Sequence, residues 1–167
     1  MIYYITGGTR SGKSSYAQQL ALSLTAEPIY VATARRWDKN FESRIARHIH
    51  DRGSEWQTIE EEKSPSVINK TRRVMLIDCV TLWLTNLFMD FEQEVDVSLN
   101  FFKQEIDKLQ KLDNTYIIIS NEIGMGVHAE TEVGRKFTDL QGWANQYVAN
   151  VANEVIFMVS GIPMKLK

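Results

Sequence analysis

Eight residues near the start of the chain, "GGTRSGKS" at positions 7–14, constrain the fold more than any other stretch. They fit the pattern GxxxxGK[ST], follow the apolar run "IYYI" and precede "SSYAQQLALSL", whose apolar residues recur at helical spacing. A strand that feeds a glycine-rich loop opening a helix is the first unit of a mainly parallel sheet. Gly7, Gly8 and Gly12 let successive backbone N–H groups turn toward one point, and the helix N-terminus adds its dipole; both favour phosphate oxygens. Thr9, Arg10 and Ser11 complete the loop. Lys13 is placed to reach the β- and γ-phosphates of a nucleoside triphosphate, and the Ser14 hydroxyl to help hold Mg²⁺. A glycine-rich turn without a ligand is the plain alternative, and the strand and helix flanks weigh against it.

The rest of the chain continues the pattern. "PIYVA", "VMLID", "TYIIIS" and "EVIFMV" are of strand length, rich in β-branched and aromatic residues, and unbroken rather than alternating, as strands buried on both faces are. Helical segments between them predict an α/β fold with a mostly parallel central sheet flanked by helices. Val133, Phe137, Leu140, Ala144, Val148 and Val151 predict a long helix over residues 131–153. In "SGIPMKLK", Ser160 and Gly161 predict a tight turn, and Pro163 an edge position for a final antiparallel strand. The polar residues 52–73 are the most linker-like. At 167 residues, 44% of them hydrophobic, one domain over residues 1–167 is expected. A net charge of −2 gives no electrostatic case for nucleic acid or an anionic membrane as main partner. The lone Cys79 excludes an intrachain disulfide, and no secretory signal precedes the first strand, so a reducing cytoplasm is expected. No apolar run approaches the roughly 18 to 20 residues of a membrane span.

Further candidate site residues lie at strand ends. Asp78 closes "VMLI", where a carboxylate of a P-loop protein binds the metal directly or through water; a helix cap is the competing role. Asn121 and Glu122 follow "TYIIIS" and precede "IGMG", beyond a carboxyl strand end where open α/β sheets bind ligands; simple loop polarity competes. "RIARHIHDRGSEW" sets His48 and His50 among arginines. If residues 38–50 are helical, Phe41, Ile45 and Ile49 form an apolar stripe, with Arg44 one turn from His48 and Arg47 nearby. A solvated basic face is the simplest reading. Like charge nevertheless favours a neutral imidazole, and arginines neutralise phosphate, which suits a phosphate-directed nucleophile. These residues alone describe a P-loop protein acting on a nucleoside triphosphate: a small-molecule kinase, another nucleotide-using enzyme, or a nucleotide-dependent switch, the last without a recognisable NKxD guanine-reading motif.

"TGGTRSGKSSYA", "YVATA", "RIARH" followed by "WQTIE", "LIDCVTLWLTN", "SNEIGMG" and "EVIFMVSGIPMKLK" occur in one order across almost the whole chain. Together they resemble the bifunctional adenosylcobinamide kinase / adenosylcobinamide-phosphate guanylyltransferase family of cobalamin synthesis. The resemblance implies a P-loop NTPase fold of the RecA-like kind and two reactions. ATP or GTP phosphorylates the aminopropanol hydroxyl of adenosylcobinamide; GMP then passes from GTP to that phosphate through a guanylylated histidine, giving adenosylcobinamide-GDP and pyrophosphate. It implies that His48 is the covalent nucleophile, with His50 an extra histidine. It also implies nucleotide contacts at Thr33, Ala34, Arg35, His50, Asp51, Arg52, Glu60 and Asp78, and a homotrimer. At Glu60 a carboxylate can accept from the ring N–H and amino group of guanine together, which adenine cannot offer. The chain departs from the family pattern at Val127, His128 and Ala129, where a proline is common, and at Trp143 and Tyr147, where arginines are frequent. Trp37, Trp56, Trp83 and Trp143 are expected mainly in the core, with a subunit interface or the corrinoid as the alternative.

Overall fold

A computed structural model describes residues 1–35, 53–68 and 70–167. Its strands are β1 (Ile2–Gly7), β2 (Ile29–Ala32), β3 (Gln57–Glu60), β4 (Val74–Asp78), β5 (Thr115–Asn121), β6 (Glu154–Val159) and β7 (Ile162–Lys165). They form one sheet in the order β3-β2-β4-β5-β1-β6-β7, parallel throughout except for the antiparallel β6–β7 pair. The described helices are α1 (Lys13–Leu24), α2 (Val80–Asp90), α3 (Val95–Lys111) and α4 (Glu132–Val151).

Alternation along the central strands sends side chains into two cores. Ile5, Leu76, Ile117, Ile119 and Met158 pack with Ala17 and Ala21 of α1, whose small side chains at four-residue spacing let the helix lie close to the sheet. Tyr4, Ile77, Tyr116 and Ile118 face the other way, against Trp83 and Leu87 of α2, Phe102 and Ile106 of α3, and Leu140, Ala144 and Val148 of α4. Trp83 is fully buried, edge-on to Phe102, and its Nε1 donates to Lys63 O at 2.7 Å. Trp56 is half-buried against the Tyr30 ring, whereas Trp143 is exposed; Trp37 lies outside the described residues.

Three expectations need adjusting. The helix predicted over residues 131–153 runs from Glu132 to Val151, with the Thr131 hydroxyl accepting from Gly134 N at 3.0 Å as its cap. Val133 is exposed rather than part of the stripe. Gln141 and Asn145 already stand level with Ser120 at the end of β5, so the first turn of α4 projects past the sheet. The supposed linker, residues 52–73, contains β3 and a 3₁₀ turn at Pro65–Val67. As an edge strand β3 buries little of itself and leaves no apolar run to read. The C-terminal hairpin forms as expected: Ser160 and Gly161 take φ of 51° and 83°, and Pro163 sits on the edge strand β7. Among the described residues no helix is long and apolar enough to cross a membrane.

Candidate functional site

The loop between β1 and α1 has the geometry its glycines predict. Gly7 has φ of 153°, and a Cβ there would stand 2.5 Å from Met158 O and 2.8 Å from Ser11 Oγ. Gly12, at φ 95°, is the N-cap of α1; a Cβ would reach 3.0 Å from Gly161 Cα. Arg10 takes a left-handed φ of 57°, and Thr9 and Arg10 are exposed at the loop tip. Ser11 N donates to Gly8 O, closing the loop, and Gly161 N of the β6–β7 turn donates to Ser11 O at 2.9 Å, bracing it from behind. No side chain caps the N-terminus of α1 and no acidic residue occupies its first turn, so its N–H groups remain suited to an anion.

Lys13 folds back over this loop. Its Nζ donates to Gly8 O at 2.6 Å and to Ser11 Oγ at 3.4 Å, and the residue is only 6% exposed. Burial pushes its pKa below the ordinary lysine value, and the Asp78 carboxylate partly opposes that. Ser14 Oγ and Asp78 Oδ2 lie 3.5 Å apart, and Tyr30 OH donates to the same carboxylate oxygen at 2.8 Å. A hydroxyl and a carboxylate meeting at the foot of a phosphate loop are oxygen donors of the kind Mg²⁺ takes when it shares its shell with phosphates and water, so the residues fit the ion. Among the described residues no cluster of three or more His, Cys, Asp or Glu forms a protein-only metal cage.

The remaining predicted residues are distributed around this centre. Ala32 pairs with both Asp78 and Glu60, which puts Glu60 at the height of Asp78 but two strands away, exposed on the edge. The Thr33 hydroxyl accepts from Cys79 N and donates to Cys79 O, both at 2.9 Å, so it ties β2 to β4. Ala34 follows, half-buried. Arg35 Nη1 and Nη2 each donate to Asp90 at 2.9 Å while Nε donates to Glu62 at 2.6 Å; these carboxylates hold its pKa well above the usual value. Cys79 is buried, and burial pushes its thiol up to about 12. His48, His50, Asp51 and Arg52 lie outside the described residues.

At the end of β5, Asn121 Nδ2 donates to Thr81 Oγ1, and Glu122 N donates to Gly7 O. Two supporting residues were not found by sequence reasoning. Tyr30 holds Asp78, and the buried Asn86 donates to Thr33 O and Glu62 O. An asparagine inside the apolar helix "VTLWLTNLFMD" was the available signal for the second.

The sequence matches the family model described as cobinamide kinase / cobinamide phosphate guanyltransferase over residues 3–166. It is 38% identical to the bifunctional adenosylcobalamin biosynthesis protein CobP of Pseudomonas aeruginosa, covering 98% of this chain and 95% of that one. It is 34% identical to the bifunctional adenosylcobalamin biosynthesis protein CobU of Escherichia coli, covering all of both chains. Among solved structures it is similar to an ATPase domain, with a TM-score of 0.45 and 11% identity over 93% of this chain and 68% of that one. With the phosphate loop formed and the family match running from β1 to β7, the chain belongs to the cobinamide kinase / cobinamide phosphate guanyltransferase family.

Proposed function

We propose that the protein phosphorylates adenosylcobinamide with ATP or GTP and then transfers GMP from GTP to the new phosphate through His48. The observation that carries this reading is the buried Lys13 over a formed phosphate loop, next in sequence to Ser14, whose hydroxyl meets Asp78, in a chain of this family. Triphosphate would occupy the loop N–H groups, and the Lys13 ammonium would leave Gly8 O for the β- and γ-phosphates. Ser14 and Asp78 would hold Mg²⁺, which neutralises phosphate charge when bound.

In the second reaction a His48 ring nitrogen attacks the α-phosphorus of GTP. An N–P bond forms, the α–β P–O bond breaks and pyrophosphate leaves. A phosphate oxygen of adenosylcobinamide phosphate then attacks the same phosphorus, the N–P bond breaks, and the imidazole is restored. Glu60 reading guanine, and contacts from Thr33, Ala34, Arg35, His50, Asp51 and Arg52, belong to the same reading; the hydroxyl of Thr33 and the guanidinium of Arg35 already serve other residues. A homotrimer is the assembly that the family resemblance supports, and the lone Cys79 fits a reducing cytoplasm.

Incubation with α-labelled GTP and Mg²⁺ tests the covalent step. Wild type should acquire an acid-labile GMP label and His48→Ala none. Equal labelling of the two would remove His48 from the mechanism, and an active kinase that never labels would reduce the protein to a single-reaction enzyme.

A further inference from the structure

Phosphorylating an alcohol releases the hydroxyl proton, and we propose that Glu122 takes it. The inference rests on the kinase reading above and concerns its acceptor side. Because open α/β sheets bind ligands beyond the carboxyl ends of their strands, a carboxylate that meets the acceptor must lie there. Asp78, at the end of β4, is engaged by Ser14 and Tyr30 at the metal position. Glu61 accepts from Lys63 N and Ser64 N, and Glu62 pairs with Arg35. Glu60 stands on the edge strand, beyond β2 from β4 and so four places from β1. Glu122 follows β5, the strand between Asp78 and the phosphate loop, and its own N–H donates to Gly7 O at 3.0 Å.

Its carboxylate is held in a way that suits a base. Oε1 accepts from Gly124 N at 3.0 Å and Oε2 from Asn145 Nδ2 at 3.5 Å, both neutral donors. Among the described residues no ion pair to Glu122 is found, so no neighbouring cation competes with the proton for its carboxylate. Asn145 is itself fixed: its Oδ1 accepts from Ser120 Oγ at 2.6 Å and Gln141 Nε2 at 2.9 Å, and its Nδ2 also donates to Asn121 O at 3.2 Å. Ser120 and Gln141 are fully buried, and Gln141 Oε1 has no hydrogen-bond partner. Such a buried polar cluster, with one amide oxygen unpartnered, costs stability compared with apolar packing, and its presence at this helix–sheet contact fits a positioning duty. The loop after Glu122 exposes Ile123, Met125 and Val127, an apolar surface beside the position where the acceptor must arrive.

In this step the acceptor hydroxyl oxygen attacks the γ-phosphorus. The new O–P bond forms, the bond to the β-phosphate oxygen breaks, nucleoside diphosphate leaves, and the hydroxyl proton passes to Glu122. Guanylylation of the protein by GTP involves no acceptor hydroxyl and does not use this carboxylate.

The test compares the two reactions in Glu122→Gln and Glu122→Asp. With adenosylcobinamide and ATP, Glu122→Gln should lose about 100-fold or more in kcat with KM for ATP little changed, and Glu122→Asp should keep part of the rate. Labelling by α-labelled GTP should match wild type in both, which also shows that the variants are folded. Phosphorylation by Glu122→Gln at the wild-type rate would overturn the assignment. Loss of both reactions in both variants would do so too, by making Glu122 a structural residue. A wild-type protein that phosphorylates no adenosylcobinamide would instead sink the kinase reading, and this assignment with it.

Discussion

Lys13 stands in the phosphate loop as a buried amine satisfied by a carbonyl and a hydroxyl rather than by a carboxylate at bonding distance. Its pKa is pushed below the ordinary 10.5 by burial. Only the protonated amine pairs with phosphate, so nucleotide affinity should be complete below the lowered pKa and fall as pH rises through it, earlier than for a free lysine. Calorimetric titration across the alkaline range would show this, and Lys13→Ala should bind roughly 10- to 100-fold more weakly, with that alkaline fall gone. The same residue illustrates what can be read locally. The glycines and Lys13 of the loop satisfy one another within eight positions, so the motif declares them. Tyr30 reaches Asp78 across 48 residues, and Asn86 reaches Thr33 across 53, through strand and helix neighbours that no local pattern encodes.

Among the elements, the C-terminal hairpin has a role beyond closing the sheet edge. Its turn residue Gly161 donates to Ser11 O, so the far end of the chain supports the phosphate loop. Gly161 has φ of 83° and open space where a Cβ would go, which makes Gly161→Ala a test of backbone conformation without a clash. The substitution should cost about 1 kcal/mol in chemical denaturation and weaken nucleotide binding through a looser Ser11 contact. Five buried strands announce themselves as unbroken apolar runs, and the hairpin through its turn residues. β3 does not, because three of its four residues are exposed and its backbone hydrogen bonds to β2 come from any sequence. For the same reason the height of Glu60 relative to Asp78 emerges only from the register with Ala32.

Across the whole molecule, one ion-pair group joins the segments after β2 and β3 to the end of α2. Arg35 after β2, Glu62 and Lys63 after β3, and Asp90 at the end of α2 form it, and the two cations hold the Asp90 carboxyl well below the usual range. The unfolded carboxylate titrates near 3.8, so this contribution is present above that pH and is lost as pH falls toward the depressed folded value. Asp90→Asn should therefore reduce stability by about 1 kcal/mol at neutral pH, with the gap from wild type closing in acid; denaturation at both pH values reads it. The strand order carries a consequence for how the protein is made. β1 is the first strand to be synthesised, yet its two neighbours in the sheet are β5 and β6, at residues 115–121 and 154–159. On the ribosome the phosphate-loop strand must wait, unpaired and apolar, until β5 has emerged more than a hundred residues later. A nascent chain stalled before β5 would hold the complete nucleotide motif and no strand to set it on.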